Sequence, residues 1–339
     1  VLTGVLEPWL RAHNRVEFRG ESREFDDTAI QTALRRLLDQ PIDGLVRTNE
    51  RVYDLLTLGT SLDQTIDGDR RSFSLHYIDW QRPAANVFHV TEEFAVERAR
   101  SHETRRPDIV CFVNGIPFAV IECKRPDLHT EGGLPYEEAV SQMIRNQGAD
   151  EIPHLFIYAQ LLLAISVHHG RYAATGTDKE FWATWREASE SDPDGETHAA
   201  RVAALVNTPR RADQQVLLYD WRPYAAYARA QGETGPRLST AQDLLLVSLL
   251  DPARLLELTY QFLVFDNGVK KIARYQQYFA VKATIDRVAQ LNAQGERTGG
   301  VIWHTTGSGK SLTMVMLAKA LALHPHIRNP RVILVTDRI

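Results

Sequence analysis

Apolar residues recur at helical spacing in several stretches of the chain. Between Glu24 and Asp39 they fall at Ile30, Leu34, Leu37 and Leu38, with Asp26 or Asp27 placed to cap the start, which predicts an amphipathic helix. Glu137 to Asn146 and Thr240 to Leu250 read as further helices, and Asp251 followed by Pro252 opens another. Other stretches favour strands. Val87 to Val96 is rich in β-formers, and Asp108–Val113 and Ile116–Cys123 flank Asn114-Gly115, a hairpin signal. Leu155 to Val167 is a long apolar stretch, expected to be a buried strand and its continuation. Val301–Trp303 predicts a short strand, Ser311–Leu323 a helix and Val332–Val335 the next strand, together one parallel β/α unit. The acidic stretch from Arg186 to His198, with Pro193 and Gly195, reads as an exposed loop or a flexible insertion. Gln231-Gly232-Glu233-Thr234-Gly235-Pro236 is the best boundary, dividing residues 1–230 from residues 231–339. There is no internal repeat.

Composition narrows the class. The 339 residues are 44% hydrophobic and 24% charged, ordinary for a soluble globular protein with more than one core. No apolar run approaches the ~20 residues of a membrane span, and Val1-Leu2-Thr3-Gly4-Val5 opens neither a signal peptide nor a chain with an initiator Met. Two cysteines, Cys111 and Cys123, exclude a disulfide framework and suit a reducing cytoplasm. A net charge of −4 gives no global attraction for nucleic acid. DNA contact therefore falls to local basic groups: Arg98, Arg100, Arg105 and Arg106, then Lys124 and Arg125, then Lys270, Lys271 and Arg274.

Two constellations carry chemistry. Cutting a phosphodiester calls for a metal that activates water, and Mg2+ prefers carboxylate oxygens. Asp108 and Glu122 can supply two carboxylates and Lys124 a cation beside them. Glu122 and Lys124 share a face because they lie two apart on a strand. A two-residue turn at Asn114-Gly115 pairs 113 with 116 and therefore 108 with 121, leaving Asp108 facing away from Glu122. One extra residue, as a bulge or an odd loop, pairs 108 with 122. The site therefore requires such an irregularity. Ile121 and Cys123 point the other way, into the core.

The second constellation is Thr306-Gly307-Ser308-Gly309-Lys310-Ser311. Gly307 and Gly309 permit a tight phosphate-cradling loop before a helix N-terminus; Lys310 can reach the β- and γ-phosphates of ATP and Ser311 can ligate Mg2+. The strict pattern has Gly where this chain has His304.

Arg106-Pro107-Asp108-Ile109-Val110-Cys111-Phe112-Val113-Asn114-Gly115-Ile116-Pro117-Phe118, with Ile121-Glu122-Cys123-Lys124, closely resembles the nuclease domain of the restriction (motor) subunit of type I restriction-modification enzymes. The resemblance continues through Gln142–Gln147, Pro153–Phe156 and Thr175-Gly176-Thr177 with Phe181 and Trp185, and is weakest over the first ~80 residues. It implies an α/β chain in which a PD-(D/E)xK endonuclease domain precedes the start of a RecA-like P-loop domain of superfamily 2 helicases. It further implies that Asp108, Glu122 and Lys124 are the catalytic residues, with Asp108 and Glu122 holding the metal. Related nucleases often carry Gln-x-x-x-Tyr on the following helix. Gln142 matches the first position as a candidate catalytic residue, but Asn146 stands in place of Tyr. Some members use an acidic residue of the first helix, for which Glu21, Glu24, Asp26 and Asp27 compete.

Arg274-Tyr275-Gln276-Gln277-Tyr278-Phe279 resembles the adenine-reading segment of such motors, with Gln277 and Arg274 as base readers and Gln276 as rival. Val335-Thr336-Asp337-Arg338 resembles the next motor motif. No later Asp-Glu pair follows to position water, so this stretch is expected to bind ATP without hydrolysing it productively and to be the N-terminal part of a larger subunit. The resemblance further implies double-stranded DNA as substrate, with methyltransferase and specificity subunits as partners. A nuclease-helicase of repair or of another defence system is the alternative, and a docking module with a decayed nuclease core is a third reading.

Overall fold

In a computed structural model of the chain, residues 1–126, 134–187, 192, 194–209, 211–214, 236–305, 307–327 and 329–335 are described. The proposed boundary at residues 231–235, Thr306 and the motif residues Thr336, Asp337 and Arg338 lie outside them, as does part of the acidic stretch, residues 188–191 and 193.

The fold is mixed α/β. Its first part runs α1 (Thr3–His13), β1 (Arg15–Phe18), β2 (Glu21–Glu24), α2 (Asp27–Leu38), α3 (Leu45–Leu58), β3 (Thr60–Ile66) and β4 (Asp69–Leu75). Asp26 caps α2, its carboxylate accepting from the Ala29 N–H at 2.7 Å. There follow β5 (Phe88–Glu92), the short pair β6 (Val96–Glu97) and β7 (Thr104–Arg105), β8 (Ile109–Val113), β9 (Ile116–Cys123), α4 (Pro135–Asn146), α5 (Pro153–Phe156), β10 (Leu161–Ser166) and β11 (His169–Ala173).

Five strands form the central sheet in the order β11-β10-β9-β8-β5, with β9 and β10 parallel and the other neighbours antiparallel. Both faces of β9 are covered, and all but its last residue are buried. Val110, Phe112, Val120, Leu162 and Ala164 pack against Ala139, Val140 and Met143 of α4 on one side. Ala119, Ile121, Leu161, Leu163 and Ile165 join the larger core with α1, α2 and α3 on the other. Leu155 to Val167 is thus one helical turn followed by a strand, buried almost throughout.

The later elements are α6 (Glu196–Val206), α7 (Ala241–Leu250), α8 (Pro252–Phe262), β12 (Leu263–Asp266), β13 (Val269–Ile272), α9 (Tyr275–Ala289) and α10 (Lys310–Leu323). Glu196, Thr197 and His198, placed in a loop by the sequence pattern, form the first turn of α6. A reciprocal cap between Thr240 and Asp243 starts α7, and the Asp251 carboxylate accepts from the N–H groups of Ala253 and Arg254 to start α8. Leu245, Leu249, Leu256 and Phe262 bury into the same core as the sheet.

The parallel β/α unit expected near the C-terminal end is only partly present. The helix forms, but Val301–Trp303 and Val332–Val335 are not strands. Val301 and Trp303 are 90% and 91% exposed, and Ile333 and Val335 are both 85% exposed. Apolar β-formers become strands where neighbours hydrogen-bond their edges and cover their faces, and neither segment pairs with a strand among the described residues.

Candidate nuclease site

The turn between β8 and β9 is a two-residue one. Asn114 and Gly115 both adopt positive φ, 52° and 80°, the backbone that matches the twist of a hairpin. It is buried and tied down. Asn114 Oδ1 accepts from the Val87 N–H at 2.8 Å, and Asn114 Nδ2 donates to Tyr77 O at 3.0 Å and Asn86 Oδ1 at 2.9 Å. The Leu2 N–H donates to Gly115 O at 2.7 Å, and a Cβ on Gly115 would lie 2.5 Å from Leu2 O.

From the turn, Val113 pairs with Ile116 and Phe112 with Pro117. The register then slips by one, so that Cys111 pairs with Ala119 and Ile109 with Ile121. Phe118 is the extra residue, and its carbonyl accepts from the Gln160 N–H at 2.8 Å, on the β10 side of the strand. The slip continues to Asp108, which comes opposite Glu122. The irregularity that the two carboxylates require is therefore present, as a bulge and not as a longer loop.

Asp108 is fixed by its own backbone and by its partner strand. Its carbonyl accepts from the Glu93 N–H at 2.9 Å, and its Oδ2 accepts from the Cys123 N–H at 2.6 Å. Glu122 is wholly buried on the face toward α4. The Lys124 N–H extends the parallel ladder to Ile165 O at 2.9 Å, which keeps the Lys124 side chain on that same face. Gln142 on α4 joins the two: its Oε1 accepts from Lys124 Nζ at 2.5 Å and its Nε2 donates to Glu122 Oε2 at 2.9 Å. Asn146, one turn further on, reaches Glu122 Oε1 at 3.5 Å. The structure thus brings Asp108, Glu122, Lys124 and Gln142 together. Asn146 joins them from the position where related nucleases carry Tyr, and its spacing from Gln142 is the signal that could have found it.

The electrostatics are those of an uncompensated acid pair. Burial raises the Glu122 carboxyl to about 8, and the neighbouring Asp108 charge pushes the same way, against weaker opposition from Lys124 and Arg145. Burial likewise pushes the Cys123 thiol up to about 12. Beside its hydrogen bond with Asp108, Glu122 receives the amides of Gln142 and Asn146, while the Lys124 ammonium donates to Gln142. An oxygen-rich, charge-deficient position of this kind fits a hard divalent cation that keeps several of its waters. Among the described residues no group of three or more His, Cys, Asp or Glu side chains is placed to hold a metal ion, so a cation here would have two carboxylates, Asp108 and Glu122, as its protein ligands.

The four acidic residues considered near the first helix are engaged elsewhere. Asp26 caps α2, Glu21 pairs with Arg23, Glu24 with Arg15 and Asp27 with Arg11. The basic clusters are likewise largely committed. Arg98 and Arg105 bind Glu151, Lys271 binds Asp266, and Lys270 is buried where a surface position was expected. Buried amides, and not solvent, receive its charge.

At the phosphate loop, Gly307 and Gly309 have φ of 78° and 85°, and Lys310 and Ser311 begin α10, both exposed. Ser308 Oγ donates to Thr305 O at 2.7 Å and lies 3.4 Å from His304 Nδ1. Gln277 packs beneath the loop. Its Nε2 donates to Gly309 O at 3.2 Å and its Oε1 accepts from the Arg274 N–H at 2.8 Å. A Cβ on Gly309 would meet that Nε2 at 2.6 Å. The segment matched to adenine reading is therefore beside the loop. Both ends of the Gln277 amide are already used within the protein, whereas Arg274 and Gln276 are exposed. Positive-φ glycines, a helix N-terminus and an exposed lysine fit a nucleotide triphosphate tail.

Residues 6–181 match the family described as type I restriction enzyme R protein N terminus, and residues 276–339 match SWI2/SNF2 ATPase. A Methanocaldococcus jannaschii protein with the provisional name type I restriction enzyme MjaIXP endonuclease subunit is 30% identical over 85% of this chain and 25% of its own length. The type I restriction enzyme HindI endonuclease subunit of Haemophilus influenzae is 27% identical over 93% of this chain and 26% of its own length. The chain thus spans about a quarter of the length of these curated relatives. With a family match over more than half of its residues, and the motif residues of that match gathered around one bulged hairpin, this chain belongs to the family of type I restriction enzyme R proteins, whose N-terminal region it represents.

Proposed function

We propose that the chain forms the cutting end of a type I restriction enzyme R subunit. In this reading it is a Mg2+-dependent DNA endonuclease with a PD-(D/E)xK site, followed by the start of a RecA-like, ATP-driven DNA translocase. The observation that carries the reading is the one-residue bulge at Phe118, which turns Asp108 and Glu122 to one another beside Lys124.

Asp108 and Glu122 would hold the metal. Mg2+ bound there supplies polarisation of a phosphoryl oxygen and a water of lowered pKa. Lys124 offers positive charge to the anionic phosphate, and Gln142 holds its ammonium away from a direct ion pair with Glu122. Gln142 acts as a positioning residue that keeps one carboxylate oxygen and the ammonium at fixed separation. At the second site, the loop of Thr306, Gly307, Ser308, Gly309, Lys310 and Ser311 would cradle the phosphates of ATP, with Arg274 and Gln277 at the base. Methyltransferase and specificity subunits would choose the DNA target, and the assembly would work in the cytoplasm. No helix among the described residues is long and apolar enough to cross a membrane.

The test is cleavage of unmodified plasmid DNA by the subunit with its partners, in Mg2+ and in EDTA, for the wild type and Asp108→Ala. The reading predicts Mg2+-dependent cutting that Asp108→Ala abolishes. Cutting retained by that variant contradicts it.

A further inference from the structure

Lys270 lies far from the nuclease site in sequence but not in connection. It is on β13, 1% exposed, and its Nζ donates to Asn49 Oδ1 at 2.7 Å and Gln160 Oε1 at 2.6 Å. The rings of Tyr53 and Phe265 stand 5.8 and 5.6 Å away. Burial drives its pKa well below the usual lysine range. Burying an ammonium this deeply is costly, and an apolar side chain of the same shape serves a core at least as well. Stability alone therefore does not account for a lysine here.

Its two partners show what it holds. Asn49 Nδ2 donates to the carbonyls of Phe156, Ile157 and Ala159, at 3.0, 2.9 and 2.9 Å. With all its donors spent, Asn49 must turn Oδ1 to Lys270. Gln160 Nε2 donates to Tyr158 O at 2.7 Å, which turns Oε1 to Lys270 in the same way. The lysine thus fastens the segment from Phe156 to Gln160 at both ends. The Gln160 N–H, in turn, donates to the carbonyl of Phe118, the residue at which the register slips.

We propose that Lys270 is a positioning residue for the nuclease site: by clamping Gln160 it holds the Phe118 bulge, and with it the register that sets Asp108 opposite Glu122. This rests on the endonuclease reading above. The lysine ammonium donates to Asn49 and Gln160, neither of them a member of the Asp108, Glu122, Lys124 and Gln142 group. It acts through one side-chain amide and one backbone N–H, at a distance from the chemistry.

The experiment compares the wild type with Lys270→Met, which keeps an unbranched side chain one atom shorter and removes the charge. Three quantities are read in the full chain: Mg2+ affinity by calorimetry, plasmid cleavage with the partner subunits, and hydrogen exchange of the Gln160 amide. The expected result is about tenfold weaker Mg2+ binding and about tenfold slower cleavage, the usual cost of losing an outer support of a metal site. Exchange at Gln160 should quicken while helix α2 stays protected. Mg2+ affinity and cleavage retained in Lys270→Met, whatever its melting temperature, overturn the proposal. Should Lys270→Met fail to fold, Gln160→Met, which keeps the backbone N–H but removes the acceptor, is read in the same way. Failure of both to fold makes the lysine purely structural and also overturns it. A wild type that neither binds Mg2+ nor cuts removes the endonuclease reading itself, an outcome distinct from a wild type that does both alongside an unaffected variant.

Discussion

The buried carboxyl of Glu122 has a consequence for stability that can be isolated. An ordinary glutamate titrates near 4.5, whereas burial and the adjacent Asp108 hold Glu122 in the folded protein at about 8. Between those values the folded state keeps a proton that the unfolded chain has released. Stability from this group is therefore full below the unfolded value and is lost as pH rises through about 8. From pH 6 to pH 8 the loss is about 2 kcal/mol, because the folded carboxyl passes from almost wholly protonated to half ionised while the unfolded one stays ionised. Urea unfolding in EDTA at the two pH values measures it, and Glu122→Gln, which cannot titrate, removes it. Other groups that titrate in this range, Lys319 among them at about 8, contribute alike to both proteins and cancel in the comparison. An equal pH response in the wild type and Glu122→Gln refutes the reasoning. The same linkage predicts that Mg2+ binding releases a proton and tightens about fiftyfold from pH 6 to pH 8.

Gly115→Ala should destabilise the protein by about 1–3 kcal/mol in urea unfolding, because the residue combines positive φ with an approach of 2.5 Å to Leu2 O. Gly309→Ala should abolish binding of a fluorescent ATP analogue while leaving Mg2+ binding at Asp108 and Glu122 intact, because its Cβ would drive Gln277 out from beneath the loop.

Much of the site could be read in the sequence for a definite reason. Strand periodicity is two, so the parity of a hairpin can be counted, and Asp108 and Glu122 could face each other only if one residue were added. The structure adds Phe118. Helix starts at Asp26, Thr240 and Asp251 were legible because each cap is a local hydrogen bond. What escaped depended on partners remote in sequence. On β3 the inward positions are Thr60, Leu62, Gln64 and Ile66, so polar side chains interrupt the apolar alternation that marks a strand. Gln64 is satisfied there by the backbone of Glu24 and Asp26. Lys270 reads as surface in any local window, since its acceptors come from residues 49 and 160. Conversely, Val301–Trp303 and Val332–Val335 carry the composition of strands without the neighbours that make one.

The central claim is that chemistry on DNA occurs where β9 presents Glu122 and Lys124 beside Asp108, separately from the nucleotide site. It is tested most directly by Lys124→Ala in the subunit assembled with its partners on unmodified plasmid DNA, with cleavage and ATPase scored in the same reaction. The account predicts that cleavage is lost while ATP hydrolysis persists. Cleavage at the wild-type rate would contradict it and leave this hairpin a structural or docking element.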